Sequence, residues 1–188
     1  MNRPPSMPSM QPNDRVRYRK AEILLAEDDP GDQELTRRAL ACDVERVELR
    51  IVRDGKEALD YLLRRDQYSD PSTSPRPDLI LLDLNMPRLN GRQVLEQLRE
   101  RSDLVCIPVV VLTTSSHEED VSRCYALGCN SFISKPVAIE PFVEVIRDLR
   151  HYWFEVVALP PSHTQGALPM QAMRVSSTCR PGMGPSTN

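Results

Sequence analysis

Leu79-Ile80-Leu81-Leu82 is the segment that most narrows what this chain can fold into. Four apolar residues without alternation suit a short strand buried on both faces, as found inside a parallel sheet. Asp83 follows at once, and Pro87 stops any continuation. The carboxylate therefore stands where the strand leaves the core. In open α/β sheets, ligands bind just outside the carboxyl ends of the strands. Asp83 is thus the first candidate for chemistry.

The segments around it alternate. Strands are expected at Ala21–Ala26, Val47–Val52, 78–83, 107–113 and 130–134. Helices are expected at 31–42, 54–64, 90–100, 118–127 and from 139 to about 154, where apolar residues recur at helical spacing. Residues 66–77 form a loop rich in Pro and Ser. Five strand–helix units imply an α/β fold with a five-stranded parallel sheet, helices on both faces and right-handed crossovers. No Gly-rich phosphate loop follows the first strand, which ends in Glu27-Asp28-Asp29-Pro30. A dinucleotide or P-loop site is disfavoured, because its backbone cradle is missing.

Residues 1–19 and 155–188 are rich in Pro and poor in groups to bury, and read as disordered tails around a domain at 20–154. The residues after the last helix are too few and too polar for a helix-turn-helix output domain. A net charge of −3 argues against broad binding to nucleic acid or an anionic membrane. No apolar stretch approaches the ~20 residues of a span, and no signal peptide is seen, so a cytoplasmic protein is expected. Cys42, Cys106, Cys124, Cys129 and Cys179 are scattered and form no C-x-x-C pair; Cys106, opening an apolar strand, is expected in the core. His117, His151 and His163 are isolated from one another, against a zinc site.

The strand ends carry a consistent set of groups. The first gives Glu27 and Asp28, the third Asp83, the fourth Thr113 and Thr114, and the fifth Lys135 before Pro136. Clustered carboxylates repel one another and call for a cation; Mg²⁺, a hard ion with oxygen ligands, is the common choice. Lys135 and Thr113 suit the oxygens of a tetrahedral anion. Phosphoryl transfer fits such a site, with Asp83 as nucleophile. Taken singly, each piece has a plainer reading. Asp28 or Asp29 could cap the following helix, Thr113 could be only a strand former, and Lys135-Pro136 only a turn. Together and in this order they point to one edge of one sheet.

With these residues in hand, the chain resembles the receiver domain of two-component response regulators. The matching stretches are ILLAEDDP (23–30), DLILLDLNMPRLNG (78–91), VVVLTTS (109–115) and FISKP (132–136). The resemblance implies a flavodoxin-like (βα)5 sandwich with strand order 2-1-3-4-5. It implies Asp83 as phospho-acceptor, with Glu27, Asp28, Asp83 and the main-chain carbonyl of Asn85 around Mg²⁺. Thr113 and Lys135 are the implied phosphoryl-binding residues, and Phe132 the aromatic switch residue, without a phenolic hydroxyl. Asn85 and Ser115 hold the positions that tune dephosphorylation. Lys135-Pro136 is implied to be a cis peptide.

The AEDDPGD opening, the long loop before Arg76, and the ending His151-Tyr152-Trp153-Phe154-Glu155 are similar to single-domain regulators paired with bacterial phytochromes. That subgroup implies a histidine kinase of phytochrome type, or a phosphotransfer protein, as partner, and dimers formed near the last helix. Tyr152, Trp153 and Phe154 cannot all face one core, since helix neighbours lie ~100° apart. At least one ring is expected at the surface or in a dimer interface. Two other readings compete. A Mg²⁺-dependent phosphohydrolase would want a second acid two residues after the nucleophile, where Asn85 stands, and its nucleophile on the first strand. A pseudo-receiver would have lost pocket residues, and none is missing. The expectation is a switch, not a turnover enzyme.

Overall fold

A computed structural model of the chain describes residues 20–41 and 47–160. Both proposed tails, together with Cys42, His163 and Cys179, lie outside the described residues, apart from the short stretch 155–160. Five strands, β1 (Ala21–Ala26), β2 (Val47–Val52), β3 (Leu79–Leu82), β4 (Val109–Thr113) and β5 (Ser131–Ser134), alternate with five helices. The helices are α1 (Pro30–Leu40), α2 (Gly55–Leu62), α3 (Gly91–Arg99), α4 (Glu118–Ala126) and α5 (Ile139–His151). All strand pairs are parallel and the sheet order is β2-β1-β3-β4-β5, as expected.

The unbroken apolar runs explain a core in two halves. Strand side chains alternate between faces. Leu24, Ala26, Ile80, Leu82, Val109 and Val111 pack with α2, α3 and Cys124 of α4. Ile23, Leu25, Leu79, Leu81, Val110 and Leu112 pack with α1 and with Phe142, Ile146 and Leu149 of α5. All four residues of β3 are buried, because both faces are covered.

Helix starts follow their capping residues. Asp29 accepts the Asp32 N–H, with Pro30 opening α1. Asp54 accepts the Glu57 N–H at α2. Asn90 and Gln93 cap α3 reciprocally, both bonds of a capping box being present. Asp54 and Asn90 lie just outside their helices, so α2 and α3 start one residue later than their patterns suggested, whereas α1 starts one residue earlier, at Pro30. Gly55 and Gly91 have no room for a side chain: a Cβ would lie 2.2 Å from the Leu89 and the Asp83 carbonyl oxygens respectively. Those close approaches pin the loop after β3 against the start of α2 and of α3.

Three expectations are corrected. Cys106 is exposed, because β4 begins only at Val109 and Cys106 sits in the turn before it; Cys124 and Cys129 are the buried thiols. The α5 pattern does not run on as α-helix to residue 154: Tyr152–Val156 forms a π-helical turn, closed by the Val157 N–H on the Tyr152 carbonyl at 3.1 Å. The wider i→i+5 turn brings successive side chains closer in angle than an α-helix does. Trp153 and Phe154 accordingly both pack against the α1–α5 half of the core, while Tyr152 is 49 % exposed. Third, Lys135-Pro136 is trans, since there is no cis peptide among the described residues. Trans is the ordinary state of an X–Pro bond by about 0.5–1 kcal/mol. The Lys135 N–H meets the Thr113 carbonyl at 2.7 Å in that form, so the strand-end register is satisfied.

Candidate phosphoryl-acceptor site

The sheet brings the predicted residues to one edge. Beyond the regular ladder, three further main-chain bonds carry the pairing onward. Asp83 donates to Ala26 at 3.0 Å, Glu27 to Val52 at 3.0 Å, and Lys135 to Thr113 at 2.7 Å. Each fixes a functional side chain one step past the end of its strand. Glu27 and Asp83 are buried, at 2 % and 6 % exposure, and Asp28 beside them is exposed. One carboxylate oxygen from each lies within 4.8 Å of the others. An octahedral Mg²⁺ with ligands at 2.0–2.1 Å needs oxygens about 3 to 4 Å apart. Hard anionic oxygens are the right donors for such an ion. These residues fit a divalent cation.

Lys135 joins the same cluster. Its side chain is only 4 % exposed, and its Nζ lies 2.5 Å from Glu27 Oε2, 2.9 Å from Asp32 Oδ2 and 3.9 Å from Asp83 Oδ1. Burial opposes the charged lysine, but the hydrogen bonds to Glu27 and Asp32 raise its pKa overall. Burial pushes the Glu27 carboxyl up to about 7, against the lowering effect of Lys135 and with help from the nearby Asp83 charge. Two buried carboxylates, Glu27 and Asp83, thus lie beside one ammonium.

Thr113 is fully buried. Its Oγ1 accepts from Asn85 Nδ2 at 3.5 Å and from the Ser115 N–H at 3.3 Å. The exposed Asn85 and half-buried Ser115 therefore flank the threonine. Asp83 Oδ1 accepts the Leu84 N–H at 2.8 Å, which orients the carboxylate. Phe132 is half-buried and packs against the core half lined by α2, α3 and α4. Two participants escaped the sequence reading. Asp32, in the first turn of α1, ligates Lys135; Asp120, in the first turn of α4, accepts from the Ser115 hydroxyl at 2.5 Å and pairs with Arg92. Acid in a first helical turn is so common for dipole reasons that its presence carried no signal. A cavity of about 270 Å³ lies elsewhere, lined by Glu57, Asp60, Asp66, Gln67, Tyr68 and Arg88, and contains none of these residues.

A buried carboxylate gathered with two acids and an ammonium, next to a strand that ends in a buried hydroxyl, has the groups to accept a phosphoryl group. Comparisons with known proteins show the family. The family profile described as response regulator receiver domain matches residues 23–147. The response regulator Rcp1 of Synechocystis is 41 % identical over 138 residues, spanning 73 % of this chain and 92 % of that protein. The solved structure of the phosphorylated cyanobacterial phytochrome response regulator RcpA superposes with a TM-score of 0.72 at 37 % identity, covering 76 % of this chain and 99 % of RcpA. An Mn²⁺-bound form of Rcp1 superposes with a TM-score of 0.70 at 40 % identity, covering 74 % and 99 %.

Proposed function

The chain belongs to the response regulator receiver domain family, and from that premise we propose that it is a phospho-receiver whose acceptor is Asp83. The observation that carries the reading is the gathering of the buried Asp83 with Glu27, Asp28 and Lys135: one carboxylate oxygen from each acid lies within 4.8 Å of the others, and Lys135 Nζ lies 3.9 Å from Asp83 Oδ1. An Asp83 carboxylate oxygen attacks phosphorus, the bond from phosphorus to the donor's leaving group breaks, and an acyl phosphate forms. The donor is a phosphohistidine of a histidine kinase or of a phosphotransfer protein. Glu27, Asp28, Asp83 and the Asn85 main-chain carbonyl would hold Mg²⁺, which neutralises phosphoryl charge. Lys135 holds an anionic oxygen from the opposite side. Thr113 moves its hydroxyl toward the phosphoryl group, and Phe132 follows by packing. The face formed by α4, β5 and α5 changes as a two-state element biased by a local charge.

RcpA, a cyanobacterial phytochrome response regulator by its own description, supports a phytochrome-type kinase as the partner. Tyr152 and Val156, exposed at 49 % and 60 % beyond α5, support self-association at that end. Among the described residues no helix is long and apolar enough to cross a membrane.

Treatment with acetyl phosphate, or with beryllium fluoride, in Mg²⁺ tests the reading. The wild type should gain the mass of one phosphoryl group or bind one fluoride complex, and Asp83→Asn should not. A mass gain that survives Asp83→Asn would overturn it.

A further inference from the structure

Ser115 lies beside Thr113 at the strand-end site, yet its hydroxyl is turned to another partner. It donates to Asp120 Oδ2 at 2.5 Å, and Asp120 pairs with Arg92 of α3. Both charged side chains are only 21 % exposed, so water screens the pair incompletely. The hydrogen bond from Ser115, then the Arg92 guanidinium, holds the Asp120 carboxyl below the usual carboxylate range. Asp120 is therefore a charged acceptor under ordinary conditions, and a charge-assisted bond to it outcompetes a neutral one. Ser115 is also tied to the site through its own backbone, whose N–H reaches Thr113 Oγ1 at 3.3 Å. Its carbonyl accepts from Ser134 Oγ at 3.4 Å, next to Lys135. The hydroxyl is thus engaged by the α3–α4 surface while the main chain stays in contact with the acceptor site.

We infer that Arg92 and Asp120 are positioning residues that hold the Ser115 hydroxyl away from the acceptor and so set how long Asp83 stays phosphorylated. The inference rests on the phospho-receiver reading. Hydrolysis of an acyl phosphate needs a water placed in line with the phosphorus–oxygen bond, and a hydroxyl beside the group can place it. Engaged by Asp120, Ser115 cannot do so. A partner that drew Arg92 or Asp120 into its own contacts would free the hydroxyl and shorten the signal. Lifetime would then depend on occupancy of the α3–α4 surface, not only on the acceptor's immediate neighbours.

The test measures loss of label from phosphorylated protein in Arg92→Ala, Asp120→Asn and Ser115→Ala, and in both double variants with Ser115→Ala. Arg92→Ala and Asp120→Asn should each shorten the lifetime about two- to tenfold, the range one redirected hydrogen bond supplies. In the Ser115→Ala background neither should have any further effect. A merely structural role would act equally in both backgrounds, and that result would overturn the inference, as would unchanged single-variant lifetimes. Amide hydrogen exchange at residues 113–117 gives a readout that needs no phosphoryl group. Exchange should quicken in Arg92→Ala, and unchanged protection there would also overturn the inference. Absence of label on the wild type would count against the phospho-receiver reading itself, while the exchange result would still decide the contact.

Discussion

Lys135 Nζ lies 2.5 Å from Glu27 Oε2 but 3.9 Å from Asp83 Oδ1, so the lysine leans on the acidic pair and not on the acceptor. The arrangement is a buried ion pair whose anionic member is also one of the proposed cation ligands. Removing the ammonium would leave Glu27 and Asp83 facing each other without it. Breaking a buried pair costs about 3–5 kcal/mol, and protonation of Glu27 limits the loss. Lys135→Met should therefore lower unfolding free energy by about 3 kcal/mol at pH 7.5 without Mg²⁺. Adding Mg²⁺ should restore more stability to Lys135→Met than to the wild type, since the ion can replace the ammonium as counter-charge. Urea unfolding with and without Mg²⁺ measures both.

Glu27 gives the metal-free protein a pH dependence of definite sign. Its pKa is raised from 4.5 to about 7 by burial, so the folded state binds that proton more tightly than the unfolded chain does. The stability it contributes is fully present below 4.5 and is lost as pH rises to about 7, after which the dependence flattens. A divalent ion needs the ionised carboxylate, so binding must displace the proton. Affinity for Mg²⁺ should fall on going from pH 8 to pH 6, approaching about tenfold per unit below the pKa for one proton released. Calorimetric titration at the two pH values, in buffers of different ionisation enthalpy, would count that proton.

Gly91 links the acceptor to the fold. A Cβ there would sit 2.2 Å from the Asp83 carbonyl oxygen and 2.9 Å from Leu84 Cα, both backbone atoms that cannot swing aside. The Gly91 N–H also donates to the Leu84 carbonyl at 3.1 Å. Gly91→Ala should cost about 1–3 kcal/mol through overpacking and slow labelling of Asp83 by acetyl phosphate, because relief requires the acceptor loop to move. Asn90→Ala makes the control. It should cost about 1 kcal/mol by loss of the helix cap and leave the labelling rate nearly unchanged.

The parts of this molecule that could be read in advance are those that local sequence specifies. Apolar runs such as Leu79–Leu82 need two covered faces, and buried strand-end acids need a positive charge beside them, which Lys135 supplies to Glu27. The parts that could not be read depend on pairs distant in sequence. Asp32 meets Lys135 across 103 residues, and only the docking of α1 beside β5's end brings them together. Asp120 meets Ser115 nearby, but the Arg92 that completes the pair comes from a different helix. Cys106 was misplaced because the apolar pattern of 107–113 does not reveal that the ladder begins only at Val109. The π turn was hidden for a related reason: over the five residues Tyr152–Val156, a wider helical period cannot be told from an ordinary one.

The end of α5 separates packing from association. Trp153 and Phe154 pack against the core, whereas the neighbouring Tyr152 is half exposed and meets Trp153 edge-on, with ring centroids 5.4 Å apart. Val156 stands exposed on the same turn, and Glu155 draws Arg150 and His151 toward it at 3.2 and 2.9 Å. Replacing Tyr152 by Ser should leave unfolding free energy within about 1 kcal/mol of the wild type, as expected for a partly exposed side chain with little core contact. Trp153→Ala should cost about 3 kcal/mol, near the low end for a large ring because it is only half-buried. If the exposed ring carries self-association, Tyr152→Ser should weaken the dimer about tenfold in sedimentation equilibrium, as loss of an interface aromatic worth about 1.4 kcal/mol does. A dimer unaffected by Tyr152→Ser and by Val156→Ser would place the interface on another face.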